Sequence, residues 1–393
     1  MKIAYVPVGA GGHILASLPM ITELVKKGVE VNYFAPESFR AQVELTGAKL
    51  CPFPEVTEKY SNPYMGKEEF LAVIPLVFLG QAKESIDAIM EQMQADRPDA
   101  IITDELALAG RLAAWKLDLP MVMMFTSYAP NDQFSIFREW PDFPGSPARE
   151  AALEMAKEFQ AEYGGPLLTP DVIFEGIGEY NVSTLTKEYQ PASEAFGDKF
   201  FFAGAQIAPR AGDGSWQPPT NGKPLLYTSL GSLFNNWPEF YQMLFPVVKD
   251  MDINVLCSIG KTLKPEDLGE IPANVTVMPF TPQLEVLAHT DCFISHAGIG
   301  SVIEGLYFGV PFMCIPQMDE QVLTANLGKK LGIVSSVMLK HEVTEERLRE
   351  GLLELIGNPV YKQNAQAMMK KMRAEGGCER AAQAVIDYLN GRK

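Results

Sequence analysis

Two polar side chains stand directly after strand-like apolar runs, where open α/β sheets keep their chemistry. His13 follows the run 3–8 and the glycine-rich turn 9–12, and Asp104 follows the run 98–103. A carboxylate bonded to one imidazole nitrogen fixes the tautomer and leaves the other nitrogen free to accept a proton. Taken singly, His13 also fits a polar helix start and Asp104 an N-cap. Because both follow a strand in the same half, the two positions together predict a histidine–aspartate base.

A second candidate site lies in residues 291–304, which read as a short buried strand, a glycine-rich turn and a helix beginning at about Ser301. Helix first-turn N–H groups lack partners, and the helix dipole favours negative charge there. Glycines let a ligand approach the backbone closely. The polar and glycine residues of this stretch are His296, Gly298, Gly300, Ser301 and Glu304. An ordinary strand–helix corner also fits the glycines, but the added histidine, serine and glutamate favour a phosphate-bearing ligand.

Two neighbouring strand ends repeat this arrangement in the second half of the chain. The run 225–228 is followed by Ser229, Gly231 and Ser232, and the run 311–315 is followed by the polar residues Glu320 and Gln321 at the start of a helix. The strands of parallel sheets carry their ligands at the carboxyl edge. We therefore predict one ligand-binding edge in the second half, separate from the base of the first half.

Length and composition predict a multidomain globular α/β protein. The chain has 393 residues, 47% hydrophobic and 21% charged residues, and a net charge of −16. That charge argues against nucleic acid or an anionic membrane as partner. The Pro- and Gly-rich segment 209–223 predicts a linker between an N-terminal domain, 1–208, and a C-terminal domain, 224–375. A last helix within 376–393 is expected to pack back on the first domain.

Targeting signals and cysteine usage predict a cytoplasmic protein. The five cysteines are scattered without a Cys-x-x-Cys motif, which fits buried thiols in a reducing compartment. The first residues read as a strand start and not as a signal peptide. The most apolar run, 70–79, contains Pro75 and is far too short to span a bilayer, so no stable membrane insertion is expected.

Two aromatic segments, 60–90 and 128–147, are candidate walls for an apolar ligand. Long irregular segments in compact domains are often lids or binding loops. Plain packing between domains fits them equally well. The candidate pocket residues are Tyr64, Phe78, Phe125, Ser127, Phe134, Phe137 and Trp140.

Residues 280–321 resemble a signature of the GT-B glycosyltransferases that use UDP-sugars on small molecules, a group that includes plant UDP-glycosyltransferases and bacterial macrolide glycosyltransferases. The matching pieces are Phe280-Thr-Pro-Gln283, the H-x-G-x-x-S-x-x-E run from His296 to Glu304, and the P-Q-x-x-(D/E)-Q run from Pro316 to Gln321. Plant members carry Trp at position 280 and Asn at position 300. The resemblance implies an α/β protein of the GT-B class, with two Rossmann-like doubly wound domains facing a deep cleft.

The resemblance also implies roles for individual residues. Phe280 would stack on uracil and Thr281 would meet its edge through the backbone. Gln283 and Glu304 would bond the ribose hydroxyls, while Glu320 and Gln321 would bond the transferred sugar. The groups that would hold the diphosphate are His296, Gly298, Ser301 and Ser232, and the donor-binding set also includes Ser229, Gly231 and Gly300. His13 would be the base, with Asp104 as its partner.

The function implied is an inverting transfer of a hexose, with glucose preferred, from a UDP-sugar to a hydroxyl of a small apolar acceptor such as a macrolide, a flavonoid or another phenol. No metal and no cofactor would be required, since the UDP-sugar is a co-substrate. We expect a monomer or weak dimer. Three alternatives remain at this stage: a lipid-directed GT-B enzyme of cell-envelope synthesis, a UDP-sugar epimerase on the same fold, and a binding protein with a decayed site.

Overall fold

The structure is a computed structural model that describes residues 1–9, 11–54, 67–138, 143–210, 216–231 and 235–391. For residues 67–70 it describes only the backbone. Tyr64, Trp140 and Ser232 lie outside these ranges. The chain divides into two compact units, Met1–Ala211 with Glu375–Lys393, and Gly212–Ala374. No helix in the described ranges is both long and apolar enough to cross a membrane.

The first unit is built on a seven-stranded parallel sheet with the order β3-β2-β1-β4-β5-β6-β7. Its strands are β1 (Lys2–Val6), β2 (Glu30–Ala35), β3 (Lys49–Pro52), β4 (Ala100–Asp104), β5 (Met121–Phe125), β6 (Tyr180–Ser183) and β7 (Phe200–Phe202). Its helices are α1 (Gly11–Lys26), α2 (Arg40–Leu45), α3 (Lys67–Ala95), α4 (Leu108–Leu117), α5 (Pro147–Tyr163) and α6 (Pro170–Glu175), joined by the C-terminal α13 (Gly377–Gly391).

Both faces of this sheet are covered, which explains why its strands are continuous apolar runs. One core lies between the sheet and α3, α4 and α5, and includes Leu79, Ile101 and Leu112. The other lies against α1 and includes Ile21, Tyr33 and, from α13, Val385. Tyr388 of α13 also stacks on Tyr180 with ring centroids 4.4 Å apart. The last helix is therefore part of the first unit.

The second unit has a six-stranded parallel sheet with the order β10-β9-β8-β11-β12-β13. Its strands are β8 (Leu225–Ser229), β9 (Asn254–Ser258), β10 (Val275–Met278), β11 (Cys292–Ser295), β12 (Phe312–Cys314) and β13 (Val334–Val337). Its helices are α7 (Pro238–Val248), α8 (Gln283–Leu287), α9 (Ile299–Tyr307), α10 (Asp319–Lys330), α11 (Glu345–Gly357) and α12 (Pro359–Ala374).

The strand order of each sheet reverses at one point. β1 lies between β2 and β4, and β8 lies between β9 and β11. Neighbouring strands whose connections run in opposite directions leave a crevice at their carboxyl ends, which is where α/β sheets bind ligands. The Rossmann-like α/β architecture predicted for both halves is confirmed, and the order places the ends of β1 with β4, and of β8 with β11, side by side.

Several element boundaries differ from the sequence-based prediction. The sequence predicts a helix over 344–356 that stops before Pro359, and α11 does end at Gly357. A further helix, α12, begins at Pro359 and was not predicted. Proline is tolerated at the first helical position because the N–H that it lacks would be unpaired there. The strands β6 and β13 were also not predicted. α9 begins at Ile299 and not at Ser301.

Candidate active site

The ends of β1 and β4 bring His13 and Asp104 together. β1 pairs with β4 in parallel register, and His13 lies in the first turn of α1, directly after β1. The Nδ1 atom of His13 lies 2.6 Å from Oδ2 of Asp104. The other carboxylate oxygen, Oδ1, accepts the N–H of Leu106 at 2.8 Å. Asp104 is completely buried at the end of β4, so the sheet fixes its position. Its hydrogen bond in turn fixes the orientation of the His13 imidazole.

The partners of His13 determine its tautomer. An ionised carboxylate only accepts hydrogen bonds, so Nδ1 carries the proton in the contact with Asp104. Nε2 has no hydrogen-bond partner among the described residues, and 23% of the side chain is exposed. Burial lowers the pKa of His13, but the charge and hydrogen bond of Asp104, with a smaller effect of Glu105, outweigh it and raise the pKa to about 9. The arrangement suits a base that accepts a proton at Nε2.

Glu105 and Thr126 were missed by the sequence analysis, although both adjoin predicted site residues. The hydroxyl of Thr126 lies 2.9 Å from Nδ1 of His13 and donates to Oε1 of Glu105 at 3.1 Å. Glu105 is 8% exposed. Burial and the neighbouring Asp104 raise its pKa. An acid directly after another acid at a strand end was the only sequence signal for it.

His13, Asp104 and Glu105 also form a set of side chains that could hold a metal ion, each offering one atom within 4.8 Å of the others. A bound ion would need the nitrogen and carboxylate oxygens to face it with free lone pairs. The 2.6 Å contact between Nδ1 and Oδ2 is a direct hydrogen bond. Thr126 and Ser127 already donate to Glu105. The geometry thus favours a hydrogen-bonded base over a metal centre.

In the second unit, Gln283 and Glu304 form the centre of a polar network. Nε2 of Gln283 donates to Oε2 of Glu304 at 2.7 Å. Oε1 of Gln283 accepts from the hydroxyl of Tyr227 at 3.2 Å, and that hydroxyl lies 2.7 Å from Oγ1 of Thr281. Ser301 lies at the edge of the network, 3.5 Å from Nε2 of Gln283. Tyr227, an inward-facing strand residue, was missed because its run reads as plain core.

His296 directly follows β11, whereas His13 lies in the first turn of α1, and the electrostatics of the two rings are opposite. Burial lowers the pKa of His296 to about 4, against a smaller opposing effect of the Ser229 backbone. Its Nδ1 is buried without a hydrogen-bond partner among the described groups. With no carboxylate to stabilise the imidazolium, the ring is neutral near pH 7. His296 can therefore contact a phosphate as a hydrogen-bond donor but not as a cation.

Two glycines of this site, Gly231 and Gly298, are required because the imidazole of His296 occupies the space where a side chain would lie. A β-carbon added at Gly231 would lie 2.6 Å from Nε2, and one at Gly298 would collide with the same atom. Ala297 between them adopts φ +64°, a left-handed conformation that costs a non-glycine residue free energy and recurs at functional sites. A β-carbon at Gly300, by contrast, would meet no atom within 4 Å. The backbone beside Gly300 is therefore accessible to a ligand.

The remaining residues that the sequence predicts for donor binding lie at the carboxyl edge of the same sheet. Burial raises the pKa of Glu320 to about 7, against the opposing bonds of Thr324 and the Ile299 backbone. Oε1 of Gln321 accepts the Gln317 N–H at 2.8 Å, which leaves its amide nitrogen for a ligand. Phe280 is 53% exposed, with Nζ of Lys261 5.4 Å from the ring centroid. An exposed aromatic face of this kind can stack on a base.

Only Phe78 among the described acceptor candidates lines a cavity at the β1/β4 edge. The cavity has about 310 Å³ of space, part of it open to solvent, between the turn after β1, the start of α4 and α3. Gln81 also lines it, and the Oε1 atom of Gln81 is buried with no hydrogen-bond partner in the part of the chain that the structure describes. A buried acceptor of this kind would be satisfied by a ligand hydroxyl.

Other aromatic candidates pack against neighbouring aromatic rings. Phe125 is 1% exposed and packs against Phe200 with centroids 5.5 Å apart. Phe137 stacks on Phe174 at 4.6 Å, and Phe134 meets Tyr128 edge to face at 6.0 Å. Phe125 is therefore a core residue, whereas Phe134 and Phe137 are only partly buried and stay predictions for the acceptor wall. Ser127 differs, because its N–H donates to Glu105 beside the base.

The likeness of the chain to known proteins extends over its whole length. A family model described as UDP-glucoronosyl and UDP-glucosyl transferase matches residues 218–374. The chain is 34% identical to NDP-glycosyltransferase YjiC of Bacillus subtilis (strain 168), over 98% of this chain and 97% of that protein. It is 28% identical to oleandomycin glycosyltransferase of Streptomyces antibioticus, over 99% and 91%. The crystal structure of the glycotransferase of kitacinnamycin superposes with a TM-score of 0.87 and 29% identity, covering 99% of this chain and 98% of that one.

The chain therefore belongs to the UDP-glucuronosyl and UDP-glucosyl transferase family of GT-B glycosyltransferases. It is an enzyme, and the resemblance drawn from residues 280–321 is confirmed.

Proposed function

We propose that this enzyme transfers a hexose, glucose in the first place, from a UDP-sugar to a hydroxyl of a small apolar acceptor, with inversion at the anomeric carbon. The observation that carries the proposal is the His13–Asp104 pair at the reversal point of the first sheet. One relative is named for oleandomycin and one solved structure for kitacinnamycin, which supports a natural-product acceptor. Macrolides, flavonoids and other phenols are the acceptor classes to test.

In the proposed mechanism, Nε2 of His13 accepts the proton of the acceptor hydroxyl as its oxygen attacks the anomeric carbon. The bond from that carbon to the diphosphate breaks, and UDP leaves with the electron pair. Nδ1–H donates to Asp104 throughout, so the imidazolium that forms is stabilised by a buried negative charge. No metal is used. One displacement inverts the configuration, which product stereochemistry can verify.

The donor is held in this proposal by the second unit. Phe280 stacks on uracil, and the Gln283–Glu304 pair receives the ribose hydroxyls. The open N-terminus of α9 at Gly300 and the neutral His296 donate hydrogen bonds to the diphosphate. Glu320 and the free amide of Gln321 bind sugar hydroxyls, with Ser229 at the end of β8 beside them.

A mass-spectrometric screen tests the function. UDP-glucose, UDP-galactose and UDP-N-acetylglucosamine are each incubated with a panel of phenols and macrolides, and with no acceptor. Because the similar YjiC protein is named for an unspecified NDP donor, dTDP-glucose is added. A glycosylated product with UDP-glucose supports the proposal. Transfer from dTDP-glucose alone contradicts the donor assignment, and an epimerised UDP-sugar without acceptor contradicts transfer as the main activity.

The pH dependence of kcat/KM is expected to follow His13. Its pKa of about 9 means that the neutral base is scarce at pH 7, so kcat/KM should rise with pH and level off above about 9. The acceptor should be an aliphatic alcohol, because a phenol titrates in the same range. Asp104→Asn removes the charge that raises this pKa, and it should move the rise to lower pH while lowering the plateau. A flat wild-type profile from pH 6 to 10 would contradict His13 as the base.

A further inference from the structure

The first unit contains a second carboxyl group beside the base that the mechanism does not use. Glu105 is buried next to Asp104, and its carboxylate accepts three donors from the segment that follows β5. The N–H of Thr126 lies 3.1 Å from Oε1, the N–H of Ser127 also lies 3.1 Å from Oε1, and the Thr126 hydroxyl lies at the same distance. Glu105 thus fixes the backbone at the end of β5.

The Thr126 hydroxyl joins this carboxylate to the imidazole. It donates to Glu105, so a lone pair of its oxygen faces Nδ1 of His13 at 2.9 Å. Nδ1 has a single proton, which is therefore shared between Asp104 and Thr126. The imidazole is held from two directions, by Asp104 at the end of β4 and by Thr126 at the end of β5.

A role in capping the β5 segment does not by itself call for a carboxylate. The carbonyl oxygen of a glutamine could accept the same N–H groups without placing a like charge beside Asp104. Burial and Asp104 both oppose ionisation of Glu105, and they raise its pKa. Keeping an acid in such a position costs stability, and costs of this kind are concentrated at functional sites.

We propose that Thr126 and Glu105 are positioning residues for His13, with Glu105 orienting the Thr126 hydroxyl and Thr126 orienting the imidazole. The inference rests on the proposed function, in which His13 is the base. Neither residue touches the acceptor in this account. They act through Nδ1, so that Nε2 is aimed at the acceptor hydroxyl.

The charged and titratable groups around Glu105 determine how its replacement would change the pKa of His13. They are Asp104 on its own strand end, His13 of α1, Arg111 of α4, whose guanidinium donates to the Glu105 carbonyl oxygen, and Tyr5 of β1, whose pKa is raised by burial and further by both acids. Arg111 and Tyr5 keep their charge state near neutral pH. Removing the Glu105 charge is therefore expected to lower the pKa of His13, by less than removing the charge of Asp104 does.

The test compares Thr126→Val, Thr126→Ser and Glu105→Gln. Thr126→Val keeps both N–H bonds to Glu105 and deletes only the hydroxyl, so kcat should fall by about 10-fold while the KM for UDP-glucose stays unchanged. Thr126→Ser should restore most of the loss. Glu105→Gln should shift the rise of kcat/KM to lower pH. Thr22→Val is the matched control, since it deletes a hydroxyl that bonds only within α1.

Nitrogen-15 NMR of labelled histidine gives a second readout that does not need turnover, and the protein has only four histidines. The His13 pKa should drop in Glu105→Gln, and the population of the Nδ1–H tautomer should fall in Thr126→Val. Unchanged kcat and unchanged His13 signals in both variants would overturn the proposal. Full activity of His13→Ala would instead overturn the base itself, so the two failures are distinguishable.

Discussion

Replacing His13 by alanine is expected to lower kcat with an aliphatic alcohol acceptor by about 10²–10⁴-fold. His13 is the single histidine in the sequence of the first unit, and its Nδ1 is bonded to Asp104. UDP affinity, measured by calorimetry, should remain within about twofold, because the proposed donor residues all belong to the other unit.

Comparing acceptors of different acidity tests whether His13 acts as a base. The loss caused by His13→Ala should shrink as acceptors become more acidic, because an already ionised phenol needs no base. His341→Ala, an exposed histidine of the second unit, is the control and should behave like wild type. A His13→Ala enzyme that keeps full activity on the alcohol would remove His13 from the mechanism.

Replacing Glu304 by alanine is expected to weaken UDP binding by about 10- to 100-fold. Glu304 is held by Gln283 at 2.7 Å, so its carboxylate is already positioned before a ligand binds. Hydrogen bonds to a charged group contribute about 1.5–3 kcal/mol, which corresponds to that range. Titration calorimetry with UDP measures the affinity directly.

Binding of 2′-deoxy-UDP distinguishes the loss of a contact to the ribose from a general disturbance of the site structure by the Glu304 substitution. If Glu304 receives the 2′-hydroxyl, the wild-type enzyme should bind 2′-deoxy-UDP weakly, and Glu304→Ala should lose little further affinity for it. Glu350→Ala removes an exposed acid from α11 and should change neither affinity. Equal UDP affinity of wild type and Glu304→Ala would exclude Glu304 from the donor site.

The secondary structure was predictable wherever a local pattern was complete. Apolar runs followed by glycines and a helical period led correctly to the β1–α1 and β11–α9 units, since strand and helix periodicities are properties of neighbouring residues. The helix that begins at Pro359 was not predicted, because a proline inside a polar segment marks a helix start as readily as a helix stop. The strands β6 and β13 were not predicted, because no glycine-rich turn follows either of them.

The acceptor side of the site was less predictable for a physical reason. Phe125, Phe134 and Phe137 carry the same chemistry as Phe78, but tertiary packing places them against Phe200, Tyr128 and Phe174. The local sequence around an aromatic residue does not show whether its side chain lines a ligand pocket or packs in the hydrophobic core. Glu105 shows the converse, since nothing in its sequence neighbourhood indicates that its carboxylate faces β5.

The sequence alone determined the α/β class, the strand ends and the identity of the polar groups placed there, because these follow from the order of residues within about 15 positions. Only the tertiary structure decided which strand ends meet. It joined His13 to Asp104, which are 91 residues apart in the chain. It also gave the two strand-end histidines opposite character, with the pKa of His13 near 9 and that of His296 near 4. Burial lowers the pKa of both imidazole rings. The pairing of β1 with β4 places the buried carboxylate of Asp104 beside His13, where it reverses this effect, and His296 has no such neighbour among the described residues.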